Sequence, residues 1–366
     1  MGRKRILFVV SNLKVGGGAE KSVTMLTKGL KKHYDVELLT FYDFKEEYLC
    51  DVKRYSFNYK YSNSTIQKIQ RLLFMFPLKL KRFLKTHKYD LVVSNAEDAN
   101  VVSLICKKYF KNYKLWTVIR NDIFDKKHPY HKFNFLQKHA DKRIVLTKAL
   151  QQRASFKTTV LENAIEINEI NKKKNEAVTG KEKDLFKKKT IVMVGRLAPQ
   201  KNYSWFFDVF KEIKHDTNLL VIGNGPLEKE LKEKAKNQKN IHFLGTKTNV
   251  YKYLNKADVF VLPSLFEGMP RVLMEALACG CVCVANDCET GPRELLDVRL
   301  SKELKRYEKT KYGYLVPFNN KEEFVKALND ALEKGKRIEP DTRFELENIT
   351  KKWVGEIEKV QGTYIK

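Results

Sequence analysis

Two glutamates, Glu267 and Glu275, stand eight residues apart, separated by a Gly turn and the predicted start of an apolar helix. A buried strand is predicted over residues 258–264, directly before the turn. Where a helix starts, backbone N–H groups lack intrahelical partners and the helix dipole is positive, so a phosphate is favoured. The N–H groups in question belong to Gly268, Met269, Val272 and Leu273. Because carboxylates accept hydrogen bonds from hydroxyl groups, the segment predicts recognition of a phosphate together with a polyol.

A pair of cations follows the first predicted strand in the second half of the chain. Gly195 allows a tight exit from that strand, and Arg196 and Lys201 come next, five residues apart. A guanidinium and an ammonium at this spacing can converge on one phosphate. These two side chains are therefore candidates for holding a diphosphate.

A Gly-rich turn, residues 16–18, follows the first predicted strand of the chain and opens a helix that contains Glu20. Glycine lets backbone N–H groups approach an anion closely. The spacing is not the Gly-x-Gly-x-x-Gly of dinucleotide-binding proteins. Two interpretations stay open, an anion-binding loop at Gly17 and Gly18 and a flexible turn followed by a capping glutamate.

These segments resemble the motifs of one family. Residues 267–275 are similar to the E-x7-E signature of retaining glycosyltransferases of family 4, which have the GT-B fold, and residues 279–296 are similar to its continuation in the polysaccharide-assembling branch. Residues 195–201 resemble the family's GRLxxxKG element, although Asn202 stands where Gly is common. Gly17, Gly18 and Glu20 resemble its GGAE loop, and the resemblance implies that this loop meets the donor phosphate and the acceptor across the cleft. The resemblance covers nearly the whole chain.

The resemblance implies a role for each candidate residue. Arg196 and Lys201 would hold the donor diphosphate and stabilise charge on the leaving group, and Glu267 would bind the sugar, which makes these three the catalytic candidates. Glu275 would accept hydrogen bonds from the ribose hydroxyls. The other donor-binding candidates are Gly17, Gly18, Gly223, Thr246, Gly268, Met269, Val272 and Leu273.

One loop in the first half of the chain contains candidate contacts to the transferred sugar and to the acceptor. Many relatives place a His after the strand that is predicted here over residues 115–119, whereas this chain has Arg120-Asn121-Asp122, similar to a variant in capsule and exopolysaccharide enzymes. The resemblance implies that Asn121 hydrogen-bonds the transferred sugar and that Asp122 orients the acceptor hydroxyl. Transfer would proceed on the face from which the nucleotide leaves, so no side-chain nucleophile is expected.

Neither a metal nor another cofactor is expected. The sequence contains no Asp-x-Asp motif, so Arg196, Lys201 and helix N-termini would take the place of a bridging cation. The six cysteines include no Cys-x-x-Cys pair and no His at zinc-ligand spacing from their cluster. They are expected to be reduced thiols of a cytosolic protein.

Short apolar strands alternate with helical stretches, which is typical of βαβ units and parallel sheets. Six strands are predicted in each half, and we predict an α/β protein with two doubly wound Rossmann-like domains that face each other across a cleft. The predicted boundaries are an acceptor-side domain at 1–168, a Lys-rich linker at 169–189 and a nucleotide-sugar-binding domain at 190–345. The resemblance implies that a helix at 346–366 packs back on the first domain. A charged insertion at 299–311 has no assigned role.

The net charge of +27 is concentrated in the first half of the chain. Residues 1–150 contain 31 Lys and Arg against 13 Asp and Glu, a net charge of +18, and residues 52–89 contain ten cations and no acidic residue. Within this stretch, residues 66–84 interleave cations with apolar side chains. The pattern favours an interfacial helix on an anionic membrane, with a solvated helix and a nucleic-acid-binding surface as alternatives. Apolar runs are strand-sized, so no membrane-spanning helix is predicted.

Together these features predict a retaining glycosyltransferase at the cytoplasmic face of the cell membrane. It would move a hexose or an N-acetylhexosamine from a nucleotide diphosphate sugar, expected to be uridine-linked, to a lipid-linked or lipopolysaccharide-type glycan. An anionic membrane surface is the further expected partner, and nucleic acid is not expected. Two other functions stay open, a GT-B nucleotide-sugar epimerase and a basic protein that binds membrane or nucleic acid without catalysis.

Overall fold

A computed structural model describes residues 2–360 except residues 63, 289, 302 and 336. The chain forms two compact units. The first contains the chain up to Ala164 together with the chain from Glu345 onward, and the second contains Ile165–Phe344. The first unit is therefore made from two separate stretches of sequence.

The described residues of the first unit include a seven-stranded sheet. Its strands are β1 (Arg5–Val10), β2 (Asp35–Tyr42), β3 (Lys53–Tyr59), β4 (Leu91–Asn95), β5 (Leu115–Ile119), β6 (Lys142–Val145) and β7 (Thr159–Val160). The order is β3-β2-β1-β4-β5-β6-β7, and all neighbouring strands are parallel. Strand β3 was not predicted, because this edge strand is only partly buried and begins with Lys53 and Arg54.

The second unit has a sheet of the same size within the described residues. Its strands are β8 (Lys189–Val194), β9 (Thr217–Ile222), β10 (Ile241–Gly245), β11 (Val259–Leu262), β12 (Val282–Asn286), β13 (Glu308–Thr310) and β14 (Gly313–Val316). The order is β10-β9-β8-β11-β12-β14-β13, parallel except for the last pair. The charged insertion at 299–311 therefore contains β13, a short antiparallel edge strand that its composition concealed.

Helices follow most strands and cover the sheets. They are α1 (Gly18–Leu30), α2 (Thr65–Gln70), α3 (Phe76–Thr86), α4 (Glu97–Tyr109), α5 (Lys148–Arg153), α6 (Ile167–Lys174), α7 (Tyr203–Phe210), α8 (Glu228–Ala235), α9 (Tyr251–Lys256), α10 (Arg271–Ala278), α11 (Gly291–Leu295), α12 (Lys321–Lys334) and α13 (Leu346–Glu358). Central strands such as β4 and β5 are buried throughout, as parallel strands covered on both faces must be. The prediction of an α/β protein with two Rossmann-like domains is confirmed.

Two segments near the domain boundaries pack more extensively than their composition indicates. Residues 169–189, predicted as a linker, lie in the second unit, where α6 buries Ile167 and Ile170. Helix α13 belongs to the first unit, and the ring of Trp353 lies 6.4 Å from that of Phe8 and 6.2 Å from that of Trp116. Residues 361–366 of the predicted C-terminal helix lie outside the described residues.

Candidate functional site

In the second unit, the loops after neighbouring strands meet at one edge of the sheet. The chain passes from β8 to β9 and β10 on one side and then to β11 on the other, so the switch point lies between β8 and β11. Ligands of doubly wound sheets bind at such a point. The predicted residues stand in these loops: Arg196 and Lys201 after β8, Gly223 after β9, Thr246 after β10 and Glu267 after β11.

Lys201 and Glu267 stand on the two sides of the switch point and form an ion pair. Lys201 Nζ donates to Glu267 Oε1 over 2.6 Å, and the two side chains are 17% and 8% exposed. Charges that are withdrawn from water to this degree need a partner. The structure thus joins a residue predicted to hold the diphosphate to a residue predicted to bind the sugar.

Gln200 connects the two loops that carry this pair. Its backbone oxygen accepts from Leu265 N over 2.8 Å, and its Nε2 donates to Phe266 O over 2.8 Å. These bonds fix the loop after β8 against the loop after β11. Sequence reasoning missed Gln200, because an uncharged residue inside a cationic motif carries no chemical signal of its own.

Thr290 and Gly291 hold the Glu267 turn from the other side. Thr290 Oγ1 donates to Glu267 O, and Gly291 N donates to Gly268 O over 2.9 Å. A Cβ on Gly291 would lie 2.2 Å from Gly268 O, so this position requires Gly. Both residues belong to the 279–296 segment, where the resemblance was a usable signal.

The glycines after β8 and β9 allow the two strand exits to touch. Gly223 has a φ of +139°, and a Cβ there would lie 2.0 Å from Gly195 O. The same oxygen accepts from the Tyr203 hydroxyl over 3.1 Å. Burial, and then the charge of Glu267, raise the pKa of Tyr203, so this hydroxyl stays protonated and can keep donating.

Helix α10 begins at Arg271, which places Val272 and Leu273 in its first turn, where N–H groups lack intrahelical partners. Glu275 is 5% exposed, and its Oε1 lies 3.5 Å from Arg271 Nη2. Glu275, the residue predicted to bind the ribose, therefore has a basic neighbour one helical turn away. Gly268 and Met269 are buried in the turn that precedes the helix.

Arg196 and Thr246 are exposed in their loops. Gly223 N donates to Gly245 O over 2.9 Å, so the loops after β9 and β10 adjoin. Within the described residues, no hydrogen bond or ion pair joins Arg196 to Lys201. The structure thus brings Lys201 to Glu267 and leaves the Arg196 guanidinium open to solvent.

In the first unit, the corresponding switch point lies between β1 and β4. Gly17 and Gly18 stand where α1 begins. A Cβ on Gly17 would lie 1.9 Å from Glu20 Oε2, which shows that the Glu20 carboxylate folds back over this turn. Burial raises the pKa of Glu20. Glu20 was singled out only as a member of the GGAE-like loop, because a Glu in a first helical turn is ordinarily only a charge that favours the helix start.

The Arg120-Asn121-Asp122 loop follows β5. Asn121 donates to Glu97 Oε1 through its backbone N over 3.2 Å and through its Nδ2 over 3.0 Å. Asp122 forms an ion pair with Arg153, and its Oδ1 accepts from the backbone N–H groups of residues 124 and 125. The Asp122 carboxylate therefore builds the local turn, whereas Asn121 fixes a neighbouring carboxylate.

Cys279 and Cys281 are buried in the second unit. Burial raises the pKa of Cys279 and of Cys281 to about 12, so these thiols are protonated. No described group of three or more His, Cys, Asp or Glu side chains is placed to hold a metal ion. Among the described helices, none combines the length and the apolar character that crossing a bilayer requires.

The chain is similar in sequence to known glycosyltransferases. Residues 188–334 match the family model "Glycosyl transferases group 1". An uncharacterised glycosyltransferase of Methanocaldococcus jannaschii is 30% identical over 277 residues, which is 68% of each chain. A Campylobacter jejuni N-acetylgalactosaminyltransferase, whose name specifies a diphospho-undecaprenol-linked acceptor, is 28% identical over 344 residues, or 87% of this chain and 88% of that protein.

Two solved structures extend the comparison to the whole fold. A lipopolysaccharide outer core galactosyltransferase has a TM-score of 0.71 at 19% identity and covers 98% of this chain and 100% of its own. An Anabaena protein in complex with UDP and glucose has a TM-score of 0.73 at 19% identity and covers 97% and 100%. At this identity the likeness shows a common fold, the GT-B fold predicted from the sequence.

Proposed function

Because the chain belongs to the group 1 glycosyl transferases, we propose that it moves a hexose or an N-acetylhexosamine from a uridine diphosphate sugar to a lipid-borne glycan. The anomeric configuration of the sugar is retained. The bond from the acceptor oxygen to the anomeric carbon forms on the face from which the diphosphate leaves, and the acceptor proton passes to the departing phosphate. This stereochemistry rests on the resemblance to family 4.

The observation that carries the proposal is the Lys201–Glu267 pair at the switch point of the second sheet. In the proposed reaction, Lys201 and the exposed Arg196 stabilise the negative charge that develops on the leaving diphosphate. Glu267 accepts hydrogen bonds from the transferred sugar, and the first turn of α10 supplies N–H groups to the donor. Glu275, buried beside Arg271, accepts from the ribose hydroxyls.

The names of relatives support the acceptor class. Besides the Campylobacter jejuni protein, an Escherichia coli relative is a UDP-Gal:alpha-D-GlcNAc-diphosphoundecaprenol alpha-1,3-galactosyltransferase, 29% identical over 187 residues. Both names specify a sugar carried on diphospho-undecaprenol. We propose the same class of acceptor for this chain, a glycan on a polyprenyl diphosphate or a lipopolysaccharide-type lipid.

Transfer assays with four donors, UDP-glucose, UDP-galactose and their N-acetylated forms, test this function. N-acetylglucosaminyl- and N-acetylgalactosaminyl-diphospho-undecaprenol serve as acceptors, and NMR of the product reports the anomeric configuration. Glu267→Gln should lower transfer by about 100-fold or more, as loss of a transition-state contact does. Glu230→Gln, at an exposed position of α8, is the matched control. Inversion, epimerised donor without transfer, or full activity of Glu267→Gln would contradict the proposal.

A surface of the first unit supports a peripheral position on the inner face of the cell membrane. We name α2, the π-helical turn Arg71–Met75 and α3 the basic helix. Apolar side chains project into solvent along it, with exposures of 70% for Ile66, 66% for Phe74 and 58% for Leu78. Apolar groups of this kind insert at a membrane interface, and nearby cations attract anionic headgroups.

The cations of the basic helix differ in their availability. Lys79 lies over the Tyr59 ring, 4.8 Å from its centroid, whereas Arg82 and Lys85 are exposed. We expect a variant with Gln at Lys79, Lys81, Arg82 and Lys85 to lose most binding to anionic liposomes, since each cation contributes about 1 kcal/mol near such a surface. Added salt should have the same effect, because it screens surface charges.

A control variant removes the same charge elsewhere. It carries Gln at four exposed lysines in and after α8: Lys229, Lys232, Lys236 and Lys239. This variant should keep liposome binding, and both variants should transfer sugar to a short soluble acceptor. An equal loss of liposome binding in the two variants would show that binding depends only on net charge. Unchanged binding in the first variant would exclude the basic helix as the membrane contact.

A further inference from the structure

The short turn that contains Lys201 is bonded to two other loops of the second unit. It is a 3-10 turn over Pro199–Lys201, and it ends at Asn202, directly before α7. On one side, Gln200 bonds to the loop after β11. On the other side, Asn202 Nδ2 donates to Asn319 Oδ1, in the loop after β14, over 3.3 Å. The turn is therefore attached on both sides.

Both asparagines have a left-handed backbone. Asn202 has φ 55° and ψ 33°, and Asn319 has φ 52°. Residues other than Gly seldom adopt this conformation, although Asn tolerates it better than most. Gly would occupy either position with less strain, and Gly is common at the position of Asn202 in the family that the motif resembles. What Asn adds over Gly at these positions is a side-chain amide.

Asn202 does not use its amide to stabilise the start of α7. An Asn directly before a helix ordinarily accepts a hydrogen bond from an N–H group of the first turn. Asn320 does so before α12, where its Oδ1 accepts from Glu323 N over 3.1 Å. The Asn202 side chain forms no such bond among the described residues and donates to Asn319 instead. It thus joins two loops at the expense of local helix stability.

The helices behind the two loops are packed firmly together. The ring of Phe324 in α12 lies 5.4 Å from that of Trp205 and 5.9 Å from that of Phe206, both in α7. Phe206 and Phe324 are fully buried, so these contacts belong to the core of the second unit. Aromatic contacts of this kind hold the starts of α7 and α12 side by side. The Asn202–Asn319 bond therefore attaches the turn to a rigid part of the unit.

Lys201 stands between the two attached residues of the turn. Its Nζ lies 2.6 Å from Glu267 Oε1. A lysine side chain has many rotamers, so the region that its ammonium can reach depends on how firmly its backbone is held. Charge stabilisation in a transition state requires groups that are already in place, and a displacement of about 1 Å is costly. The bonds on both sides of Lys201 meet this requirement.

We propose that Asn202 and Asn319 are positioning residues for Lys201. Their amide bond and the bonds of Gln200 hold the turn, so that Lys201 Nζ stays where it meets the leaving diphosphate. The two asparagines act through Lys201 and not on the reacting atoms. This inference rests on the proposed function, because it takes Lys201 to act on the diphosphate.

The test replaces each asparagine by Gly, which keeps the left-handed backbone and removes the amide. Asn202→Gly and Asn319→Gly should each lower kcat by about 3-fold to 10-fold, the effect of one neutral hydrogen bond. The donor KM should change by less than about twofold, because the lost contribution is made in the transition state. The double variant should lose no more than the more impaired single one, since both changes remove the same bond.

A matched control makes the same substitution at another left-handed asparagine. Asn58 is exposed in β3 of the first unit and has φ 56°. Asn58→Gly should keep the wild-type kcat with a short soluble acceptor. All Gly variants should melt near the wild-type temperature, because Gly adopts this backbone conformation without strain. An equal loss of kcat in Asn58→Gly would overturn the inference.

A second comparison distinguishes positioning from a general structural role. In a Lys201→Ala background, Asn202→Gly should change the remaining kcat by less than about twofold, since a residue that acts through Lys201 has no effect once the ammonium is absent. If a Gly variant melts at a lower temperature, this comparison still decides, because lost folding lowers kcat in both backgrounds.

Two results overturn the inference while leaving the proposed function intact. They are an unchanged kcat in both single Gly variants, and an equal loss in the wild-type and Lys201→Ala backgrounds. A wild-type protein that binds no UDP and transfers no sugar refutes the proposed function itself, and the inference fails with it.

Discussion

Replacing Lys201 by Ala should weaken the second unit as well as slow the reaction. The substitution removes the ammonium that lies 2.6 Å from Glu267 Oε1, and the carboxylate that remains is 8% exposed. Removing one partner of a buried ion pair costs about 3–5 kcal/mol. Because Lys201 itself is 17% exposed and solvent screens part of the interaction, we expect the low end, about 3 kcal/mol.

A second substitution separates the destabilisation caused by an unpaired carboxylate from the net contribution of the ion pair to stability. Adding Glu267→Leu to Lys201→Ala removes the unpaired carboxylate, so the double variant should be more stable than Lys201→Ala alone. Both variants should lose transfer by about 100-fold or more, since each lacks Lys201, the group that we propose stabilises the charge on the leaving diphosphate. Stability recovers in the double variant, whereas activity does not.

Hydrogen exchange followed by mass spectrometry measures the stability of each unit separately. Peptides that cover β8 and α10 should lose protection in Lys201→Ala, and peptides from β1 and β4 provide an internal reference in the first unit. Unchanged protection around β8, or a double variant that is less stable than the single one, would refute the reasoning about burial. Wild-type transfer by Lys201→Ala would refute its role in the reaction.

Three further outcomes are expected. Glu275→Ala should lower UDP affinity more than Glu267→Ala does in calorimetry, and the reverse order would exchange the two assignments. Transfer should survive EDTA, because Lys201 and the start of α10 supply positive charge, and a loss restored by Mg²⁺ would count against this. Trp353→Ala should cost about 3–5 kcal/mol, seen as a lower melting temperature, since Trp353 is 2% exposed.

Most of the fold was predictable because buried parallel strands are short apolar runs. β4 and β5 show this pattern and were predicted from it. The two strands that were missed, β3 and β13, lie at sheet edges, where solvent removes the need for apolar residues. The Lys-rich composition of α6 concealed its two buried isoleucines in the same way.

The candidate site was predictable where a residue carries charge or belongs to a motif. Lys201 and Glu267 were named as candidates for this reason, but their direct contact was not predicted, because pairing depends on which loops adjoin at the sheet edge. The side-chain amides of Gln200 and Asn95 form hydrogen bonds to Phe266 O and Arg120 Nε, respectively. An amide residue in a sequence does not show which partner its side chain will bind. The fold-back of Glu20 over Gly17 follows from local geometry that spacing does not specify.

The contribution of α13 to the first unit has a consequence for the order of folding during synthesis. Residues up to Ala164 are synthesised well before Trp353, whose ring lies near those of Phe8 and Trp116. The second unit, which is continuous in sequence, can complete its core while the first still lacks a helix. The nascent first unit must therefore keep an apolar face uncovered until α13 has been synthesised, and exposed apolar surface of this kind makes a folding intermediate prone to aggregation.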